Sequence, residues 1–129
     1  MRVSKKFAHI SKSALFDFTT QLIGEVYVNS QCVLKGNCVL DASLHRIILK
    51  EGCQIGQNTR IYAISDRLVI GEETIIGENC EILVSIGART KIGNSVKIEE
   101  GAIVGDDCVI FDDVTILQDS IIENSSSIK

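Results

Sequence analysis

Isoleucine, leucine or valine returns every six residues along almost the whole chain, usually followed by glycine or a short polar residue. The run Ile70-Gly71-Glu72-Glu73-Thr74-Ile75-Ile76-Gly77-Glu78-Asn79-Cys80-Glu81-Ile82 shows the pattern. A helix repeats near 3.6 and a half-buried strand at 2, so a period of six predicts neither. It predicts a coil of short flat strands joined by turns.

One phase accounts for the inward positions. It runs Ile10, Phe16, Leu22, Val28, Leu34, Leu40, and resumes after a nine-residue step at Leu49, Ile55, Ile61. A second nine-residue step leads to Ile70, Ile76, Ile82. A four-residue step follows, to Ile86, Ile92, Ile98, Val104, Ile110, Ile116, Ile122 and Ile128. Three six-residue steps make one triangular turn, so the chain predicts an all-β, parallel β-helix of about six to seven coils, roughly 30 Å long at ~4.8 Å per coil. The reading is a single domain: a basic lead-in at 1–9, coils over 10–122 and a polar tail at 123–129 expected to fray.

The positions between the inward residues support this phase. The next residue is glycine at 56, 71, 77, 87, 93 and 105. The third residue on often tolerates left-handed backbone: Asn37, Gly52, Asn58, Asn79, Gly101, Asp107 and Asp113. The fourth is small, as an inward-pointing tight turn requires: Cys32, Cys38, Cys53, Thr59, Thr74, Cys80, Thr90, Ala102, Cys108 and Ser120. All five cysteines take this place and no CxxC occurs, so they read as buried core thiols rather than a metal or redox site. Cys32 with Cys53, and Cys80 with Cys108, are the pairs expected to stack. Free thiols point to a reducing compartment.

Composition narrows the function classes. Of 129 residues, 45% are apolar but only 5% aromatic, so the core must be Ile, Val, Leu, Ala and Cys. Proline is absent, which suits unbroken hydrogen-bonded ladders. A net charge of −4 offers no basic field for nucleic acid. No apolar run approaches the ~20 residues that span a bilayer. Arg2, Lys5, Lys6 and Lys12, with no acid among them, have the composition of a mitochondrial leader, but the six-residue phase already runs through Ile10 and Phe16. The location expected is cytoplasmic.

The repeat resembles the hexapeptide-repeat proteins, and that resemblance implies a left-handed helix. The two nine-residue steps and the short step after Ile82 resemble the γ-class carbonic anhydrase branch, as does Leu22-Ile23-Gly24-Glu25-Val26. Where zinc-bearing members carry an R-G-D stretch, this chain has Asp41-Ala42-Ser43, and Gly56 replaces a glutamine. The zinc histidines fall on Tyr62, Glu78 and Leu83, which cannot supply three ligands. The resemblance extends to the non-catalytic β-helical pointed-end subunits of dynactin, the sixth more than the fifth. It implies a scaffold associated with the cytoskeleton, no enzyme activity, no cofactor and no metal, with an actin-related protein and a second β-helix subunit as partners.

Candidate interaction residues on that reading are Glu99, Glu100, Asp106, Asp107, Asp112 and Asp113, taken as an acidic docking face against the ordinary reading of a solvated surface. An apolar cluster of Ile116, Leu117, Ile121 and Ile122 marks the C-terminal end. The competing enzyme reading is a carbonic anhydrase relative or a hexapeptide acyltransferase. The latter family resembles an enzyme with a histidine base in a cleft between trimer subunits, and His45, within Ser43-Leu44-His45-Arg46, is the candidate here. A homo-oligomer, including an end-to-end filament of the bactofilin kind, is the third alternative.

Overall fold

The computed structural model describes residues 2–3 and 8–129. The lead-in lysines Lys5 and Lys6 lie outside the described residues. Short parallel strands wind into a three-sided solenoid with one seven-stranded sheet, about seven turns in all. Every inward position of the six-residue phase falls in register with its counterparts one coil away. On the first face Leu22, Leu40, Ile61, Ile82, Ile98 and Ile116 pair in order. The second face stacks Ile10, Val28, Leu49, Ile70, Ile86, Val104 and Ile122. The third stacks Phe16, Leu34, Ile55, Ile76, Ile92, Ile110 and Ile128.

These stacks are the core. Most of their members are fully buried aliphatics, each worth about 1.5–3 kcal/mol against exposure. Among the described residues no aromatic ring is fully buried, as the composition predicted.

The turns follow position more than residue type. All seven predicted left-handed residues have positive φ, and so do Gln31, Glu73, Arg89, Ser95, Asp119 and Ser125 at equivalent places. The bend of the coil imposes the conformation on side chains that do not favour it. The glycine before it answers a different need. A β-carbon at Gly56 would run into the Gly77 carbonyl of the next coil, and one at Gly87 into Gly105.

The small fourth residue turns out to be a hydrogen-bond donor as well. The Cys38 thiol donates to the Gly56 carbonyl at 2.9 Å, Cys53 to Gly71 at 3.0 Å and Cys80 to Gly93 at 3.1 Å. Thr59, Thr74 and Thr90 hydroxyls donate to Gly77, Gly87 and Gly105 at 2.7, 2.6 and 2.9 Å. Cysteine and threonine interchange at this position because each offers a compact S–H or O–H to the next coil. No buried side-chain nitrogen or oxygen among the described residues lacks a partner.

Two expectations need correction. Cys32 and Cys53 do stack, but Cys80 and Cys108 stand on different edges: Cys80 belongs with Cys38 and Thr59, Cys108 with Thr74 and Thr90. The polar tail also does not fray. Ser127 and Ile128 pair with Val109 and Ile110, and the Ser126 hydroxyl caps the Glu123 carbonyl at 2.7 Å.

Candidate functional site

The departures from the six-residue step all fall on one edge of the prism, between the first and second faces. There the coils run Leu22 to Val28, Leu40 to Leu49, Ile61 to Ile70, Ile82 to Ile86 and Ile98 to Val104. The other two edges keep the regular step. Stacking therefore lays loops of different length over one another along this variable edge, and two concavities result.

The smaller, about 390 Å³, is lined by Gly24, Glu25 and residues 42–46. Gly24 pairs with Ala42 and Val26 with Ile47, so the single residue Glu25 lies opposite residues 43–46, a bulge within the strand Val39–Leu49. Gly24 bends with φ near 79° to allow it. The Asp41 carboxylate accepts the Ser43 amide at 2.9 Å and starts the bulge. His45 stands exposed within it, between Leu44 and Arg46. Arg46 Nε lies 3.7 Å from Glu25 Oε2. The Tyr27 hydroxyl donates to Glu25 Oε1 at 2.6 Å, and the His9 ring stacks on Tyr27 with centroids 4.4 Å apart. The hydrogen bond to the Glu25 carboxylate raises the Tyr27 pKa, with burial and the negative charge adding to it. The histidines thus both lie by the second face and its variable edge.

The larger cleft, about 680 Å³, lies further along the same edge. A nine-residue step directly precedes the four-residue one, so turn 83–85 recedes beneath the 63–67 loop. Ser65 reaches past it, its hydroxyl donating to Glu100 at 3.0 Å. Its lining includes the apolar Val69, Val84, Ile86 and Ile103 and the cationic Arg67 and Arg89. Arg89 is already engaged, bidentate to Asp107 at 2.9 and 3.2 Å and to Glu72 at 3.3 Å. That contact holds the Asp107 carboxyl below its ordinary pKa.

The structure does not gather the six predicted acids on one face. Each six-residue advance moves a pair to the next edge. Glu99 and Glu100 lie on the variable edge, where Glu99 accepts the Gln118 amide at 3.1 Å. Asp106 and Asp107 lie on the second-to-third edge, with Asp106 accepting the Ala88 amide at 2.8 Å. Asp112 and Asp113 lie on the third-to-first edge, where Asp112 accepts the Asn94 amide at 2.7 Å and Asp113 is left-handed. Most of these side chains secure the turns.

The positions aligned with zinc ligands do not converge within the chain either. Tyr62 and Leu83 follow paired residues on successive coils of the variable edge, whereas Glu78 lies on the third-to-first edge. No group of three potential ligands is present among the described residues. Of the C-terminal apolar cluster, Ile116 is buried, while Leu117 and Ile121 point outward. The residues that sequence reasoning missed are Glu25, Tyr27 and Arg46; the glycine at 24 and the phase slip after Leu40 were the available signals.

No known protein family model matches this sequence. No curated protein is significantly similar to it. Among solved structures, the chain is similar to a hexapeptide transferase family protein from Anaplasma phagocytophilum, with a TM-score of 0.70 and 17% identity over 91% of this chain and 70% of that one. It is also similar to a perosamine N-acetyltransferase from Caulobacter crescentus in complex with CoA and GDP-perosamine, at a TM-score of 0.52 and 15% identity over 95% of this chain and 53% of that one. A third is the acetyltransferase domain of PglB from Neisseria gonorrhoeae in complex with acetyl coenzyme A, at 0.50 and 14%, over 93% and 53%. The chain spans about half the length of these two acetyltransferases.

At such identities the likeness fixes the fold: a left-handed parallel β-helix of the hexapeptide-transferase kind. The comparisons also correct the expectation of a non-enzymatic, dynactin-like scaffold. The three solved structures named are of transferases, and they give the dynactin, cytoskeletal and carbonic anhydrase resemblances no support.

Proposed function

We propose that the chain is a hexapeptide-type acyltransferase, moving an acyl group from a coenzyme A thioester to an amine or hydroxyl acceptor at the variable edge. The observation that carries this reading is the concentration of every irregular step on one edge, where a cleft gathers His45, Glu25 and Arg46. A β-helix needs no such loops for its own stability, as the regular edges show. The acetyltransferases of similar fold, solved with coenzyme A or its acetyl ester, support the donor class.

The chemistry needs one base and no metal. His45, as neutral imidazole, takes the proton from the acceptor nitrogen or oxygen as that atom attacks the thioester carbonyl. The tetrahedral intermediate collapses with loss of the thiolate. The imidazolium returns its proton to the sulfur, giving the free thiol and the acylated acceptor. General-base assistance of this kind contributes about 10²–10⁴-fold.

Calorimetric titration with coenzyme A, together with mass analysis of amine and amino-sugar acceptors incubated with acetyl-CoA, tests the proposal. Saturable binding and an acceptor heavier by one acetyl group are expected. No binding at millimolar coenzyme A and no acylated product would remove it.

A further inference from the structure

The bulge that carries His45 is an exposed four-residue excursion of the strand Val39–Leu49, between Ala42 and Ile47, and an unfastened excursion would leave its imidazole without a fixed direction. Its first end is held by Asp41. Among the described residues the side chain at its second end, Arg46, has only the long pair with Glu25, and both side chains are more than a third exposed, at 49% and 36%. A pair of that kind holds little when each side chain must be immobilised to form it.

Glu25 is already immobilised. It occupies the irregular position between Gly24 and the buried Val26, and its Oε1 accepts the Tyr27 hydroxyl at 2.6 Å. That is a short, charge-assisted bond. Tyr27 is fixed in turn, because its ring is stacked nearly parallel on His9, at 6°. The entropy of ordering the carboxylate is therefore met by Tyr27, and Oε2 is left directed at Arg46.

We infer that Glu25, held by Tyr27, is the positioning residue for His45, fixing Arg46 and through it the bulge that presents the imidazole to the cleft. The catalytic meaning of this rests on the acyl-transfer reading; the geometry does not. Nothing in the six-residue repeat requires a glutamate at 25 or a tyrosine at 27, since both side chains point away from the core.

Four variants test the path: Glu25→Gln, Tyr27→Phe, Arg46→Ala and the double Glu25→Gln/Arg46→Ala. Acyl-transfer kinetics are read beside amide hydrogen exchange of residues 43–46. Loss of orientation predicts a fall in kcat of about tenfold for Glu25→Gln, with KM for the acyl donor within about twofold. Tyr27→Phe is expected to lose about threefold, and the double variant to be no slower than Arg46→Ala, because both substitutions cut one path. Exchange at 43–46 quickens in Glu25→Gln while the turns stay unchanged. A Glu25→Gln enzyme with kcat within about twofold of the parent, or single losses that multiply in the double, overturns the inference. If the parent chain transfers no acyl group, the functional reading fails separately. Faster exchange at 43–46 then still upholds the positioning role, and unchanged exchange overturns it.

Discussion

At the residue scale, the inner turns show how little the type of a side chain conveys without its partner. Smallness at the fourth position was plain in the sequence, and so was the burial of the cysteines. The donor role was not, because the accepting carbonyl lies one coil away, eighteen residues on for Cys53 and Gly71. Cys53→Ser keeps a donor of similar size, whereas Cys53→Ala leaves the Gly71 carbonyl only the long bond from the Thr74 amide at 3.4 Å. Urea unfolding is expected to place the alanine variant about 1–2 kcal/mol below the serine variant. The same burial shapes the alkaline limb of stability. Desolvation pushes the Cys38 thiol up to about 11 from its ordinary 9. A folded pKa above the unfolded one contributes stability that is full below pH 9 and is lost as pH rises through about 11. Urea midpoints measured from pH 8 to 11 are expected to fall across that window, and Cys38→Ser to flatten the fall.

At the scale of the turn and coil, the phase breaks after Leu40, Ile61 and Ile82 were legible from spacing alone. Their meeting on one edge was not drawn from it, although these residues are 21 apart and pair in a single column. The acidic pairs show the opposite error. Close in sequence, they were read as one face, yet a six-residue advance is one third of a turn and scatters them to three edges. The regular step at Ile98 to Val104 shows that this edge closes without an insertion. Deleting residues 65–67 is therefore expected to leave the β-sheet circular dichroism intact, with a loss of no more than about 2 kcal/mol, typical of a single destabilising change. The same deletion removes the Ser65 bridge to Glu100 and opens the larger cleft. By contrast Gly56→Ala, forced against the Gly77 carbonyl, is expected to cost about 3 kcal/mol, the upper end of overpacking.

At the scale of the whole molecule, the architecture followed from the repeat with almost no ambiguity. Each inward residue had only to repeat its hydrophobicity, and stacking did the rest. The hand was implied by the resemblance to hexapeptide-repeat proteins and is supported by likeness to solved transferases, because periodicity is blind to it. Function was less legible, for a physical reason. The missing zinc ligands at Tyr62, Glu78 and Leu83 weighed toward a scaffold, with an acyltransferase kept as the alternative, yet acyl transfer asks only for a base, a cleft and a bound thioester. A fold shared by scaffolds and enzymes cannot choose between them; its loops can. Here the informative contact between Glu25, which Tyr27 holds on its own coil, and Arg46 on the next coil is invisible to a scan for adjacent motifs.

The most direct test is the rate at which free thiol appears from acetyl-CoA in the presence of a panel of amines and amino sugars, compared between the parent chain and His45→Ala. The account predicts acceptor-dependent release by the parent and a rate about 100-fold lower in the variant, the lower range of general-base contributions. Acceptor-dependent release that survives His45→Ala unchanged, or no release by the parent with any acceptor, would contradict it.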